Sequence, residues 1–310
     1  MSFFLQTTLQ IALITILAGA GFLFWATGGR GDTDEILESS PVHLGLPSAE
    51  TTVTPGELAL VAWNIAYGRG VAGDKSGPWS RRHIVKHLDA IAESIREMNV
   101  DVAALQEVDL DSARSHHIHQ GRYLAEKLGW AHFACVDTWV QNYIPFPYWP
   151  PSRHYGRMRS GQCVLSKFPI TRNIRYRLEQ PRSNPEWYNL FYLHRAIQHI
   201  TLDINGREVD LYNVHLEAFD GPNRQDQVKF LLNLVGNPVK PSTIVLGDFN
   251  ALPPEAKVRF GFADHPGDDY RNDPTLSLVL EREDLMEALR ESKGPGLDSH
   301  FTFPADTPNW

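Results

Sequence analysis

Hydrophobic positions along this chain repeat in three ways, and each predicts a different element. From Ile11 to Ala26 every residue is apolar or glycine except Thr15, and residues 2–29 carry no charged side chain. With Phe3, Phe4 and Leu5 ahead of it, this stretch is long enough to span a bilayer as a helix, which takes about 20 residues. Trp25 sits near its end, where interfacial aromatics collect. A cleaved signal peptide is the rival reading, because Ala18-Gly19-Ala20 offers a small-x-small site. Cleavage there would leave Phe22-Leu23-Phe24-Trp25 close to the mature start, and no Lys or Arg marks a leader, so an uncleaved anchor over 1–29 is preferred. Residues 30–56 hold many Gly, Ser, Thr and Pro without periodicity and read as a flexible tether. The remainder, 57–310, reads as one folded domain with a sizeable core.

Within that domain a 3.6-residue period marks 82–98, where Ile84, Val85, Leu88, Ile91, Ala92 and Ile95 share one face. Similar spacing marks 119–128 and 225–235. Period-two alternation is clearest from Ile200 to Ile204, and Asn205-Gly206 then reads as the turn of a hairpin. Four further apolar runs have strand length, and each ends in polar residues. Leu58 to Trp63 ends in Asn64, Asp101 to Gln106 in Glu107, and Glu208 to Val214 in His215. Ile244-Val245-Leu246, which reads as a strand buried on both faces, ends in Gly247-Asp248-Phe249-Asn250. Strands alternating with helices, plus a hairpin, predict an α/β domain of two packed sheets with helices outside.

The polar strand ends carry the candidate chemistry. A buried strand gains nothing from a carboxylate at its end, because ionised carboxylates are costly to desolvate. Where a strand leaves a sheet, the same group can aim at a ligand. Loop or helix capping explains a single Asp-x-Asn pair equally well, but the pattern recurs at four ends. Asn64, Glu107, Asp248 and Asn250 offer oxygens that suit magnesium, manganese or calcium better than zinc. The lone imidazole, His215, suits phosphoryl contact or proton transfer.

Five segments extend this picture: Ala62-Trp63-Asn64-Ile65, Leu105-Gln106-Glu107-Val108, Ser160 through Ile170, Asn213-Val214-His215-Leu216 and Gly247-Asp248-Phe249-Asn250. In type and order they resemble the motifs of the endonuclease/exonuclease/phosphatase superfamily, over roughly 57–310. The resemblance implies a four-layer α/β/β/α sandwich of two mainly antiparallel sheets flanked by helices. It implies that Asn64 and Glu107 hold a divalent cation, Mg2+ or Mn2+, and that Asp248 orients or deprotonates the attacking water. It also implies that His215 and Asn250 contact the scissile phosphate. Arg195, in His194-Arg195-Ala196-Ile197, stands where relatives carry a phosphate-directed Arg; a surface strand cation is the alternative. The family pattern runs on past Thr302-Phe303-Pro304 into an Ile-Asp strand and a final Ser-Asp-His, and this sequence reaches Trp310 without them. The expectation is a domain incomplete at its C-terminus, with its last strands missing. Asp264-His265-Pro266 comes too early to replace the lost pair, and Asp298-Ser299-His300 has the wrong order as well.

The formal net charge of −8 argues against a broad basic surface for sequence-blind nucleic-acid binding, although a bound cation inverts the field locally. The stretch 139–155 is rich in aromatics and proline. Trp139, Tyr143, Tyr148 and Tyr155, with Arg157 following, form a candidate substrate loop that could stack bases or meet a lipid interface; a loop packed on its own aromatics is the alternative. His116, His117 and His119 lack Cys or carboxylate support and read as structural. Glu217, Arg224 and Gln227 flank His215, as its support or as loop and capping residues. Cys135 and Cys163 lie in apolar runs and read as buried free thiols, with a disulfide between them as the alternative. The combined expectation is a membrane-tethered, divalent-metal-dependent phosphoesterase acting on a phosphodiester or phosphomonoester, with a phospholipid or inositol-type head group preferred. A metal-dependent nuclease is one alternative, and a non-catalytic phospholigand binder, for want of the last motif, is another. The domain is expected outside the cytoplasm, or secreted if the leader is cleaved.

Overall fold

A computed structural model describes residues 3–29, 31, 33–46, 58–70, 77–262 and 267–288. The long apolar run forms α1 (Phe3–Thr27), whose side chains from Thr8 to Trp25 are exposed and whose Ala26 is fully buried. Next come β1 (Ile36–Glu38), β2 (Val42–His43), β3 (Leu60–Asn64), α2 (Arg81–Glu97), β4 (Val102–Asp109) and α3 (Gln120–Leu128). The long pair β5 (His132–Ile144) and β6 (Gly156–Ser166) is followed by β7 (Ile170–Arg177) and the one-turn α4 (Glu186–Asn189). Finally β8 (Ala196–Ile204), β9 (Arg207–His215), α5 (Gly221–Val235), β10 (Thr243–Asp248) and α6 (Thr275–Leu280) complete the described elements.

Local chemistry accounts for several of these boundaries. Ser80 caps α2 by accepting from His83 N–H at 3.2 Å. Asn205 and Gly206 both have positive φ, 55° and 81°, as a two-residue type I′ hairpin between β8 and β9 requires. The strands form two five-membered sheets, ordered β1-β7-β8-β9-β10 and β2-β5-β6-β4-β3. Pairing is antiparallel except for β9 with β10 and β3 with β4. Helices α2 and α3 cover the outer face of the second sheet through Ile84, Leu88, Leu124 and Leu105. Helix α5 covers the first sheet through Val228 and Leu231 against Ile197 and Val214. Val102, Ala104, Val164, Ile200, Leu202 and Leu211 fill the space between the sheets. The architecture is the four-layer α/β/β/α sandwich.

Three expectations change. Part of 30–56 is folded rather than a tether: β1 pairs with β7 and β2 with β5, so the chain steps from the edge of one sheet to the edge of the other. Strands of two or three residues are too short to carry a periodic signal. Cys135 and Cys163 are not free thiols. They are cross-strand partners on β5 and β6, with Cα atoms 4.1 Å apart, and they form a disulfide. A Cβ on Gly121 of α3 would lie 2.8 Å or less from both sulfurs, so the glycine lets the helix sit on the bridge. Finally, β10 is half-buried along its length rather than buried on both faces, because among the described strands it is outermost in its sheet.

A polar strip crosses the apolar interior between the sheets. Asn213 on β9 accepts from Gln106 Nε2 of β4 at 2.6 Å, and donates to Leu105 O at 3.3 Å and Gln198 Oε1 at 3.1 Å. Gln198 Nε2 donates onward to Asn173 Oδ1 and Ala134 O, and Gln162 Nε2 donates to Asn213 O at 3.0 Å. All five carboxamide side chains are buried. Each buried amide left without a partner costs about 1–3 kcal/mol. Asn213→Leu strands Gln198 Oε1 and leaves Gln106 Nε2 with Ala104 O alone, so unfolding in urea is expected to show a loss of about 1–3 kcal/mol. An unchanged midpoint would mean that water replaces the lost partners.

Candidate active site

Parallel strands end on the same side, and here both parallel pairs end at one end of the sandwich. Asn64 leaves β3 beside β4, and Asp248 leaves β10 in register with His215 of β9. Asn64 Nδ2 donates to Glu107 Oε1 at 3.0 Å and to Asp248 Oδ2 at 2.9 Å, so one amide bridges carboxylates from the two sheets. The Asn64 side-chain Oδ1 accepts from Ala66 N–H at 3.0 Å. Asn250 closes the corner: its N–H donates to Asp248 Oδ1 and its Nδ2 to Leu216 O, both at 2.9 Å.

Glu107 does not end its strand, since β4 continues to Asp109. A bulge between Leu105 and Val108 lets both of these pack under the helices, while Gln106 reaches Asn213 and Glu107 reaches Asn64. The bulge holds Glu107 at φ 53°. Asn250 at 48°, and Ala66 and Tyr67 at 44° and 46°, are also left-handed. Such backbone costs about 1–3 kcal/mol per residue and gathers at functional sites.

Arg195 is not a surface cation. It is buried, with Nη1 2.5 Å from His215 Nε2, and Nε 3.8 Å from Glu217 Oε2. Because the guanidinium can only donate, Nε2 is the accepting nitrogen of a neutral imidazole. Burial and the Arg195 charge push the His215 pKa down to about 3, against the pull of Asp248 3.7 Å away. Burial alone would raise the Asp248 carboxyl. His215, the Asn64 amide, the Asn250 N–H and Arg195 outweigh it and hold the group below the usual carboxylate range. Glu217 is fully buried, and its Oε1 accepts from Tyr192 OH at 2.8 Å and Phe219 N–H at 3.0 Å. Gln227 Oε1 accepts from Glu217 N–H at 2.8 Å and Arg224 Nη1 donates to Glu217 O at 2.7 Å, tying the loop after His215 to α5.

The aromatic stretch divides. Trp139 and Tyr143 belong to β5, not to a loop, and Trp139 Nε1 donates to Phe191 O at 2.9 Å. Tyr155 is buried with its hydroxyl 3.4 Å from that of Tyr67, which follows Asn64 by three residues. Tyr143 packs on α1, Tyr148 is exposed, and Arg157 pairs with Asp111 at 3.0 Å. Of these five, Tyr155 is the one that touches the Asn64 corner, through Tyr67. His116 bonds Trp79 O, His117 bonds Asp111, and His119 caps α3. Asp264-His265-Pro266, Asp298-Ser299-His300 and Thr302-Phe303-Pro304 lie outside the described residues. Tyr67, Tyr192 and Arg114 escaped the sequence reading. Arg114 is buried, salt-bridged to Asp109 at 2.9 Å and stacked 3.6 Å over the Tyr67 ring. No local pattern marks any of the three.

Among the described residues no three His, Cys, Asp or Glu side chains form a metal cluster. The Glu107 and Asp248 carboxylates nonetheless converge, and their oxygens fit a hard divalent cation of the magnesium type, whereas Asn64 turns its Nδ2 toward them and keeps Oδ1 on the Ala66 N–H. Fold and site together define an α/β/β/α domain with polar strand ends from both sheets gathered at one end. The profile described as "Endonuclease/Exonuclease/phosphatase family" matches residues 61–310, and the chain belongs to that family. Its members hydrolyse phosphoester bonds and generally use divalent metal ions. No curated protein matches the chain.

Similar solved structures include an endonuclease/exonuclease/phosphatase from Beutenbergia cavernae, 24% identical, covering 64% of this chain and 49% of that one, with a TM-score of 0.47. A Bacteroides thetaiotaomicron mannosyl-6-phosphatase is 15% identical over 63% and 66% of the two chains, with a TM-score of 0.42. A family protein from Leptotrichia buccalis is 18% identical over 63% and 67%, with a TM-score of 0.40. The match thus spans about half the length of the Beutenbergia protein.

The His215 environment has a consequence for stability. The ring takes up its proton near pH 6.5 in the unfolded chain but only near pH 3 in the fold. Between those values the unfolded state binds more protons, so this group makes stability fall as pH drops from 6.5 towards 3 and is without effect above that window. His215→Gln is expected to flatten that limb of a urea-midpoint profile; an unaltered slope would show that the imidazole accepts its proton in the folded state.

Proposed function

We propose that the chain is a membrane-tethered, Mg2+- or Mn2+-dependent phosphoesterase, with α1 as the anchor and the sandwich as the catalytic domain. The observation that carries the reading is the single amide of Asn64 held between Glu107 of one sheet and Asp248 of the other, with neutral His215 beside them. A buried fold has no use for two carboxylates converging there unless they serve a ligand. In this reading Glu107, together with Asn64 once its amide is turned so that Oδ1 faces the site, would hold the cation, which would supply positive charge against the charge developing on the phosphoryl group and leaving oxygen. Asp248 stays ionised across neutral pH and orients the attacking water while accepting its proton. His215, with Arg195 behind it, and Asn250 contact the phosphoryl oxygens. Arg195 is held in place by Glu217, whose Oε2 lies 3.8 Å from its Nε and whose Oε1 is fixed by Tyr192 OH and the Phe219 N–H.

The disulfide supports placing the domain outside the cytoplasm, since such bridges persist in oxidising compartments. An anchored domain with a formal net charge of −8 suits a small membrane-borne phosphoester, such as a phospholipid or inositol-type head group, better than a polyanion bound through a broad basic face.

Two substitutions test the reading on the full chain. Glu107→Gln keeps the side-chain shape but removes the charge a hard cation needs. Calorimetry with Mg2+ or Mn2+ should show loss of binding, and hydrolysis should fall with it; unchanged binding removes Glu107 from the site. Asp248→Asn should lower turnover by about 10²–10⁴-fold with substrate affinity largely kept. Near-normal turnover at neutral pH would assign the base role to another group. Metal-independent hydrolysis of every phosphodiester and phosphomonoester offered would sink the reading as a whole.

A further inference from the structure

Resting on the anchor reading of α1, we propose that the tip of the β5–β6 hairpin and the adjoining α4 segment form a second membrane contact. The contact sits in the head-group boundary of the bilayer surface from which α1 emerges. Helix α1, 25 residues long, extends about 37 Å at 1.5 Å per residue, enough to cross a core of about 30 Å. Its end is fixed to the domain at one place. Ala26 is fully buried, Trp25 O accepts from Asn142 Nδ2 at 2.9 Å, and the Tyr143 ring lies 5.8 Å from Phe22 and 6.0 Å from Trp25. The level at which the helix leaves the bilayer is therefore also the level of the end of β5.

From there the hairpin exposes aromatic surface. Tyr143 OH bonds His154 Nδ1 at 2.7 Å, and His154 Nε2 lies 3.3 Å from Tyr148 O, so the tip is one imidazole away from the residue touching α1. Phe146, Tyr148 and Trp149 are 46%, 61% and 80% exposed. On the α4 segment Trp187 is 63% exposed, with its ring 5.9 Å from that of Tyr188. Gln141 Nε2 donates to Leu190 O at 2.8 Å and binds the α4 segment to the same strand.

Charge distribution favours lipid over water. Residues 138–152 carry no charged side chain, and no Asp or Glu occurs from 138 to 178 in a chain whose formal net charge is −8. Trp and Tyr prefer the head-group boundary, where the ring is apolar and its polar atom stays wet. A soluble surface rarely leaves such a patch bare. The segment then runs through Tyr192, which bonds Glu217, into Arg195, so the contact would set the mouth of the site against the lipid surface.

The test uses the full chain in nanodiscs of phosphatidylcholine and phosphatidylglycerol containing a photoactivatable phospholipid, with adducts mapped by mass spectrometry. Adducts are expected on α1 and also on 146–149 and 187–190. The exposed triple variant Phe146→Ser, Tyr148→Ser, Trp149→Ser should lose those at 187–190 severalfold while keeping those on α1. Adducts confined to α1 overturn the contact and leave the anchor standing. Adducts on the hairpin without α1 uphold the contact and overturn the anchor, and adducts on neither remove both. Crosslinks between two 146–149 tips, with lipid adducts on α1 alone, would assign the patch to a second copy of this chain and overturn the proposal.

Discussion

The site depends on how two sheets are held against each other, and buried carboxamides do the holding. Gln106 precedes Glu107 and Asn213 lies two residues before His215, and these two amides bond directly across the interior. Apolar contacts such as Val102 and Ala104 against Ile200 and Leu211 would tolerate sliding by a fraction of a residue. Hydrogen bonds would not, because a shift breaks the bonds of Asn213 to Gln106 and to Leu105 O together. The polar strip thus sets the spacing between a carboxylate on one sheet and an imidazole on the other, which no single sheet could do.

At the mouth of that interface the charges are ordered by burial. Glu217 and Arg195 are both buried, while the Asp248 side chain is about a quarter exposed. His215 lies between Arg195 and Asp248, and it stays neutral because desolvation and the guanidinium outweigh the carboxylate. The result is a graded set: an acceptor that remains ionised at the opening, a neutral ring behind it, and a fixed cation behind that. Left-handed backbone at Glu107 and Asn250 is the conformational cost of aiming these groups from strands that would otherwise turn them elsewhere.

The opposite concern, the sheet edges, is handled by the N-terminal segment. Strand β1 covers the β7 edge and β2 the β5 edge, so the connection from α1 is built into both sheets. Together with the Cys135–Cys163 bridge between β5 and β6, this leaves the strand that carries α1 pinned on two sides. Any pull on the helix is therefore borne by the sheet rather than by a slack linker.

What the amino-acid order determined by itself is local. The unbroken run of α1, the one-faced spacing of α2, the Asn205-Gly206 turn and the polar residues ending β3, β9 and β10 are all legible, because each depends on neighbours a few residues away. The same patterns, with the motifs they carry, sufficed to recognise the family and its sandwich. Tertiary structure alone decided the rest. The pairing of Cys135 with Cys163 and the short strands β1 and β2 depend on register between distant segments. So do the bulge that turns Glu107, the edge position of β10 and the burial of Arg195 against His215. The Tyr67–Tyr155, Arg114–Tyr67 and Tyr192–Glu217 contacts belong with them, since each joins residues at least 25 positions apart, beyond the reach of any periodic signal.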